Sequence, residues 1–314
     1  MTTYQAAVII PSRGGAPKLH YPLDALEAQT EKNFQVIVVL DGDIDNSAAV
    51  VQNYIDRGRL NLSMIVFDQN QGRVAALNAG HRAADAEILI RCDDDLQPDR
   101  SFIAKHLRHH QSPGEIGVIG IYKNIFPDTP YARVYGCYRD QKFREDAYLT
   151  KPESRWKYWA GNVSMSKTLF DQIGGYDDRY RLYGWEDVDM GYMVYRAGAK
   201  IIIDPELSIN HFVAATTTAN RAKRALYSGA ARNLFIAKNG EGVLTPAKPT
   251  GLWGLLVRTS AIFATDSSIA TAGQFIDLLS KRVQPRLAEK LVSLLVESSS
   301  YAGTRYPHRA QKNF

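Results

Sequence analysis

Four short apolar runs mark the first hundred residues, with helical spacing between them. Ala6-Ala7-Val8-Ile9-Ile10 has the length and continuity of a buried strand and is ended by Pro11. Val36-Ile37-Val38-Val39-Leu40 repeats that pattern up to Asp41-Gly42, Leu62 to Phe67 makes a third run, and Ile88 to Cys92 a fourth. Between the first two runs, Leu23, Leu26 and Ala28 fall at helical intervals. Val50, Val51, Tyr54 and Ile55 give a second apolar helix face, stopped at Gly58. Arg73 to Ala84 makes a third helix with Val74, Ala76 and Leu77 inward. Strand–helix alternation of this kind predicts an α/β fold with a mostly parallel central sheet flanked by helices. Ligands of such sheets bind at the carboxyl ends of the strands, where Asp41 and the triplet Asp93-Asp94-Asp95 stand.

The pattern then changes. Residues 113 to 160 break into shorter, aromatic-rich pieces, Asp189 to Ala197 is helical with Gly198 as its stop, and Ile201 to Ile203 is a late strand. Beyond residue 220 the chain reads as helical. There Pro285 opens a helix whose stripe, Leu287, Leu291, Leu294 and Leu295, serves packing, an oligomer seam or a membrane surface. Two parts are therefore expected: residues 1–219 carrying the sheet, and a basic helical region, 220–314, for acceptor binding or oligomerisation, with a loosely ordered tail from Tyr301.

Composition narrows the class. At 314 residues, 45% hydrophobic and 23% charged, the chain can bury a substantial core as a soluble globular protein. Cys92 and Cys137, the two cysteines, form no CxxC pair, so neither a disulfide framework nor a structural zinc site is expected. No signal peptide is visible, and the most apolar window, Gly251 to Ala264, is short for a span and broken by Arg258. A cytoplasmic setting, with possible contact to the inner membrane face, is the expectation. Of the net charge of +5, residues 281–314 hold seven Lys/Arg against two acids. Such charge attracts phosphates or anionic lipid, but no nucleic-acid motif accompanies it.

Three adjacent carboxylates repel one another, and a divalent cation is one way to neutralise them. A solvated acidic turn before Pro98 is the plain alternative. Asn70-Gln71-Gly72-Arg73 is a loop-to-helix start suited to an anion. Downstream, Gly174-Gly175-Tyr176-Asp177 and Tyr183-Gly184-Trp185-Glu186-Asp187-Val188-Asp189 set a Gly-rich turn, a Trp and paired acids before a helix. Helix capping alone would account for the acids, but the Trp offers a flat face for a sugar ring. His106, His109 and His110 share a helix face and read as solvated.

Taken in order, these pieces and Trp159-Ala160-Gly161-Asn162 resemble the family 2 glycosyltransferases of the Rossmann-like GT-A fold, across Tyr4 to about Phe212. The Gly174–Gly198 block is similar to the C-terminal half of galactosyltransferase-type domains. The resemblance implies a nucleotide sugar, UDP-linked by preference, held by Pro11, Arg13, Asp41, Arg73, Asp93 and Asp94. It implies Mn²⁺ or Mg²⁺ on Asp95, Asp93 and His211, the aspartates forming a DxD motif. Asp187 would be the base of an inverting transfer to a hydroxyl acceptor (glycan, lipid-linked sugar, peptide or small molecule). Glu186 would hold sugar hydroxyls, while Trp185, Trp159, Gly161 and Asn162 would line the sugar and acceptor side. Leu40 and Leu77 depart from the family pattern, which leaves base and ribose contacts less fixed than the metal site. A sugar-1-phosphate nucleotidyltransferase, faintly echoed by Ser12-Arg13-Gly14-Gly15-Ala16-Pro17-Lys18, and a non-catalytic carbohydrate-binding protein are the alternatives.

Overall fold

The first strand, β1 (Tyr4–Ser12), is buried from Ala6 onward, and the sheet is laid down on both sides of it. The computed structural model describes residues 3–181, 183–212, 215–245 and 248–310. In chain order, β1 is followed by α1 (His20–Glu27), β2 (Phe34–Leu40), α2 (Ser47–Arg57), β3 (Leu62–Val66), α3 (Arg73–Ala83) and β4 (Ala86–Cys92). Then come β5 (Leu96–Gln97), α4 (Phe102–His109), β6 (Ile116–Ile119), β7 (Tyr122–Ile125), α5 (Cys137–Leu149), β8 (Asn162–Ser166) and α6 (Lys167–Ile173). The remaining elements are α7 (Glu186–Arg196), β9 (Lys200–Ile203), β10 (Ile209–Phe212), α8 (Thr218–Asn239), α9 (Gly251–Phe263), α10 (Asp266–Leu279) and α11 (Pro285–Arg305).

Seven strands form one sheet in the order β3-β2-β1-β4-β8-β6-β9. The four expected strands are present and parallel: β2 pairs with β1 and β3, and β4 pairs with β1. Successive connections run outward from β1 to β3, and then β4 returns to its other side. That reversal makes a switch point between the carboxyl ends of β1 and β4, the place where open sheets of this kind bind their ligands. Strand β8 is antiparallel to both β4 and β6, and β6 and β9 are parallel. A small second sheet, β5-β10-β7, carries the chain past the aspartates.

Two compact units emerge: residues 1–124, 144–178 and 186–212, and residues 125–143, 179–185 and 213–314. Short segments from the middle of the chain thus join the C-terminal unit, which a single linear boundary at 219 does not anticipate. The first unit centres on Ala6, Val8, Ile10, Val36, Val38, Ile88 and Ile90, backed by Leu23, Leu26 and Phe102. Helix α3 lies so close to β1 that a Cβ on Gly80 would come 2.6 Å from Ile9 Cγ2.

The second unit packs α8 against α11 around Ala222, Leu226, Val292, Val296 and Ala302. Small residues take this seam: a Cβ on Gly303 would fall 2.0 Å from the Leu226 carbonyl oxygen. Of the expected leucine stripe of α11, Leu291 and Leu295 pack against this cluster from its flank. Ala288, Val292 and Val296 are buried, while Leu287 is exposed, because the backbones approach too closely for larger side chains. The segment from Tyr301, expected to be loose, continues α11 to Arg305; positions 311–314 lie outside the described residues.

Replacing Gly303 by Ala forces backbone atoms apart and is expected to cost about 1–3 kcal/mol. Urea unfolding followed by circular dichroism checks this, with a lowered midpoint and an unchanged slope as the expected result; an unchanged midpoint contradicts the close α8–α11 contact.

Candidate active site

At the switch point, side chains tie the strand ends together. Asp94, just past β4, accepts from Ser12 Oγ at 2.6 Å and Lys18 Nζ at 2.9 Å. Burial, and Asp95 beside it, push the Asp94 carboxyl upward against the pull of Lys18 and Ser12. Asp41, at the end of β2, accepts the backbone N–H of Gln71 (2.6 Å) and of Gly72 (3.0 Å), which fixes the loop entering α3. Gly72 sits at φ 94°, a conformation glycine adopts without a Cβ penalty. Arg13 donates to the Asp41 carbonyl at 2.6 Å, and Pro11 is buried within β1. Arg73 then opens α3.

Arg91 organises the next layer. This residue ends the apolar run of β4 with no exposed surface. Its Nε lies 2.7 Å and its Nη2 3.1 Å from the two oxygens of Asp93, and its Nη1 donates to Asp187 Oδ1. Burial penalises the guanidinium charge, but Asp187 and Asp93 more than offset it and raise its pKa above the ordinary value. Burial likewise opposes ionisation of Asp93; Arg91 and Arg73 overcome it and hold the carboxyl below the usual range. Gly161 makes room: a Cβ there would come 2.3 Å from Asp93 Cγ, and the Gly161 carbonyl accepts the Asp93 N–H.

Glu186 and Asp187 start α7, whose N-terminal dipole favours their charge. Arg73 Nη1 lies 3.5 Å from Glu186 Oε1. Burial, reinforced by Asp187, pushes the Glu186 carboxyl up to about 7, against Arg73 and Arg91. Asn78 on α3 clamps the Gly-rich turn before this helix, accepting from Tyr176 N–H (2.9 Å) and donating to its carbonyl (2.8 Å).

Asp95 and His211 meet across the pairing of β5 with β10, Oδ2 to Nε2 at 3.3 Å. Asn124 Oδ1 faces the other ring nitrogen. A neutral imidazole donating Nδ1–H to Asn124 would leave its Nε2 lone pair beside the Asp95 carboxylate, available to a metal ion. Adjacent ligands of an octahedral ion bound at ~2.1 Å stand about 3 Å apart, so the spacing fits. Among the described residues no group of three or more His, Cys, Asp or Glu side chains is placed to hold a metal. Two protein ligands suit an ion that takes its other oxygens from phosphates and water.

Several expected roles change. Asp93 has both oxygens on Arg91, which leaves Asp95 as the aspartate in contact with His211. Trp159 is 1% exposed and Asn162 wholly buried, so neither offers a face to a sugar. Trp159 would crowd a Cβ on Gly117 or Gly191, and Asn162 binds His106 and the Leu207 carbonyl. Gly161 accommodates Asp93 instead. The histidines of α4 are not a solvated face: His106 is buried between Ser164 and Asn162, and His109 bonds Asp204 at 2.7 Å. Trp185 belongs to the second unit, where its Nε1 donates to Ser228 Oγ at 3.1 Å and its ring packs on Phe235. Arg91, Ser12, Lys18 and Asn124 were missed as site residues. Ser12 and Lys18 lie in the stretch that echoed a nucleotidyltransferase loop, and Arg91 left its own signal, a charge closing a run of apolar residues that must find a partner.

Residues 7–174 match the family model described as glycosyl transferase family 2, and residues 144–215 match one described as the N-terminal domain of galactosyltransferase. Validoxylamine A glucosyltransferase of Streptomyces hygroscopicus subsp. jinggangensis is 27% identical over 64% of this chain and 53% of its own. Chondroitin synthase of Pasteurella multocida is 24% identical over 61% of this chain and 23% of its own. The chain thus spans about half, or less, of these relatives. Among solved structures, mannosyltransferase PcManGT from Pyrobaculum calidifontis, in complex with GDP-Man and Mn²⁺, aligns at TM-score 0.62. It shares 18% identity and covers 97% of this chain and 88% of its own. Residues 1–349 of S. aureus TarS align at TM-score 0.53 and 14% identity, over 99% and 93% of the two chains. These likenesses fit the sheet with its flanking helices, and with the sequence match across more than half its length the chain belongs to glycosyltransferase family 2.

Proposed function

We propose that this chain is an inverting, divalent-metal-dependent glycosyltransferase moving a sugar from a nucleotide sugar, UDP-sugars first, to a hydroxyl acceptor. One observation carries the proposal: within a single unit, Arg91 draws Asp93 and Asp187 together, Arg73 meets Glu186, and Asp95 faces His211. Asp95 and His211 would hold Mn²⁺ or Mg²⁺, which when bound neutralises the charge growing on the departing diphosphate. Arg73, at the start of α3, adds fixed positive charge for the same phosphates. Pro11, Arg13 and the loop held by Asp41 would border the nucleoside, with Asp94 bracing the loop after β1.

Asp187 would take the proton from the acceptor hydroxyl on the face opposite the leaving group, which gives inversion by single displacement. Arg91 pins one carboxylate oxygen and so sets the direction in which the carboxylate points. Glu186 would hold sugar hydroxyls. A second reading has its own observation: a carboxyl brought to about 7 can exchange a proton near neutral pH, so Glu186 is the rival base. Because Lys18 is engaged with Asp94, the loop after β1 lacks the phosphate-gripping arrangement that a nucleotidyltransferase would need. The acceptor class, whether glycan, lipid-linked sugar, peptide or small molecule, is a matter for assay.

Calorimetric titration with UDP should show binding with Mn²⁺ that weakens by about tenfold or more in EDTA or in His211→Ala; equal binding in EDTA contradicts the metal assignment. Asp187→Asn should lower transfer by about 10²–10⁴-fold while UDP affinity stays within a few-fold. Near-normal turnover in that variant would move the base elsewhere. For the wild type, the pH–rate profile should carry an inflection near 7, from Glu186, that disappears in Glu186→Gln. With Glu186 as base, activity rises through that inflection and the Gln variant is inactive. With Glu186 as a hydroxyl-binding group, the variant keeps measurable turnover.

A further inference from the structure

Helix α9 is built inside out. Gly254, Val257 and Ala261 face its own core, whereas Leu252, Leu255, Leu256, Ile262 and Phe263 stand on the opposite side, Leu252 85% and Phe263 74% exposed. The outward positions fall at i, i+3, i+4, i+10 and i+11, one stripe of the helix. The polar residue completing that stripe at i+7, Thr259, hides its hydroxyl, which lies 3.0 Å from both the Leu255 and Leu256 carbonyls. Large side chains outward and small ones inward reverse the order that a water-facing surface helix follows.

A second apolar edge follows in the same unit. Phe275 and Leu278 on α10 and Leu287 on α11 are more than half, or half, exposed. Exposed Lys281, Arg282, Arg286 and Lys290 are interleaved with or adjoin them, and Lys248 and Arg258 flank or lie on α9. The acids here are fewer than these six cations: Asp266 is paired with Lys223, while Asp277 accepting from Thr218, half-buried Glu289, and exposed Glu297 accepting from Trp253 Nε1 on α9 keep their charge, so the face stays net basic. Apolar side chains bordered by lysine and arginine suit a surface that is apolar beneath and anionic above. Two copies of so basic a face would repel one another.

We infer that the exposed face of α9, with the basic α10–α11 turn, docks this chain on an anionic lipid bilayer. No helix among the described residues is long and apolar enough to cross a membrane. At 13 residues α9 is about 20 Å long and would lie in the interface plane, its leucines and Phe263 among the acyl chains.

Co-sedimentation of the full chain with vesicles of phosphatidylcholine, alone or mixed with phosphatidylglycerol, tests this without any sugar nucleotide. The chain should pellet with the anionic vesicles, less so at high salt. Leu255→Ser/Ile262→Ser/Phe263→Ser and Lys281→Glu/Arg282→Glu/Arg286→Glu should each weaken binding by about tenfold or more. Thermal melts of both variants should match the wild type, since the altered side chains are exposed. Failure to pellet with anionic vesicles overturns the inference, as does undiminished binding by the α9 variant. A dimer in light scattering that this variant abolishes, without vesicle binding, assigns the face to a second copy and equally overturns it.

Discussion

A guanidinium with no exposed surface, held between two carboxylates, is the interaction on which the site depends. Removing Arg91 from water carries a desolvation cost of several kcal/mol, which only well-placed anions repay. Asp93 supplies both its oxygens and Asp187 one. The pair joins the end of β4 to the start of α7, residues 96 positions apart in the chain. Through that pair the acids at the sheet's edge and the acids at the helix start become one electrostatic unit. Gly161 exists at its position because any side chain would displace Asp93.

The remaining charges divide the work according to their surroundings. Arg91 commits Asp93 to the fold's interior, Ser12 and Lys18 commit Asp94 to the loop after β1, and Asp95 is left facing His211. Three consecutive aspartates therefore lessen their mutual repulsion by pointing at three different cationic or hydrogen-bonding partners, although Asp95 still raises the Asp94 carboxyl. Glu186, close to Asp187 and buried, carries the residual strain as a raised pKa near 7.

Much of the sheet was legible because β1, β2 and β4 are buried on both faces and so read as unbroken apolar runs, while β3, half-buried at the sheet's edge, still carries an apolar run. Strand β8, Asn-Val-Ser-Met-Ser, escaped because its polar residues are satisfied internally, Asn162 and Ser164 by His106. For the same reason the α4 histidines looked solvated. Asp41, Asp95, His211, Glu186 and Asp187 were readable from their place at strand ends and a helix start. What residue type could not convey was direction: which aspartate turns to which partner, that Trp159 faces the core, and that small residues of α11 take the seam with α8. Those outcomes depend on contacts between residues far apart in sequence. Arg91 is the instructive omission, since a charge at the end of Ile-Leu-Ile must be paired.

The Arg91 network is tested most directly by urea unfolding of Arg91→Met at several pH values. Two partly buried carboxylates left without their cation should cost about 3 kcal/mol at neutral pH. Without Arg91, burial raises the Asp93 carboxyl in the folded variant, so the penalty is present at neutral pH and fades as the pH falls toward about 4. In the wild type, stability from the depressed pKa of Asp93 is lost only as the pH falls further, below about 4, which narrows the gap again. A large deficit at neutral pH that shrinks on acidification is the predicted result; a variant as stable as the wild type, or a deficit independent of pH, would contradict it.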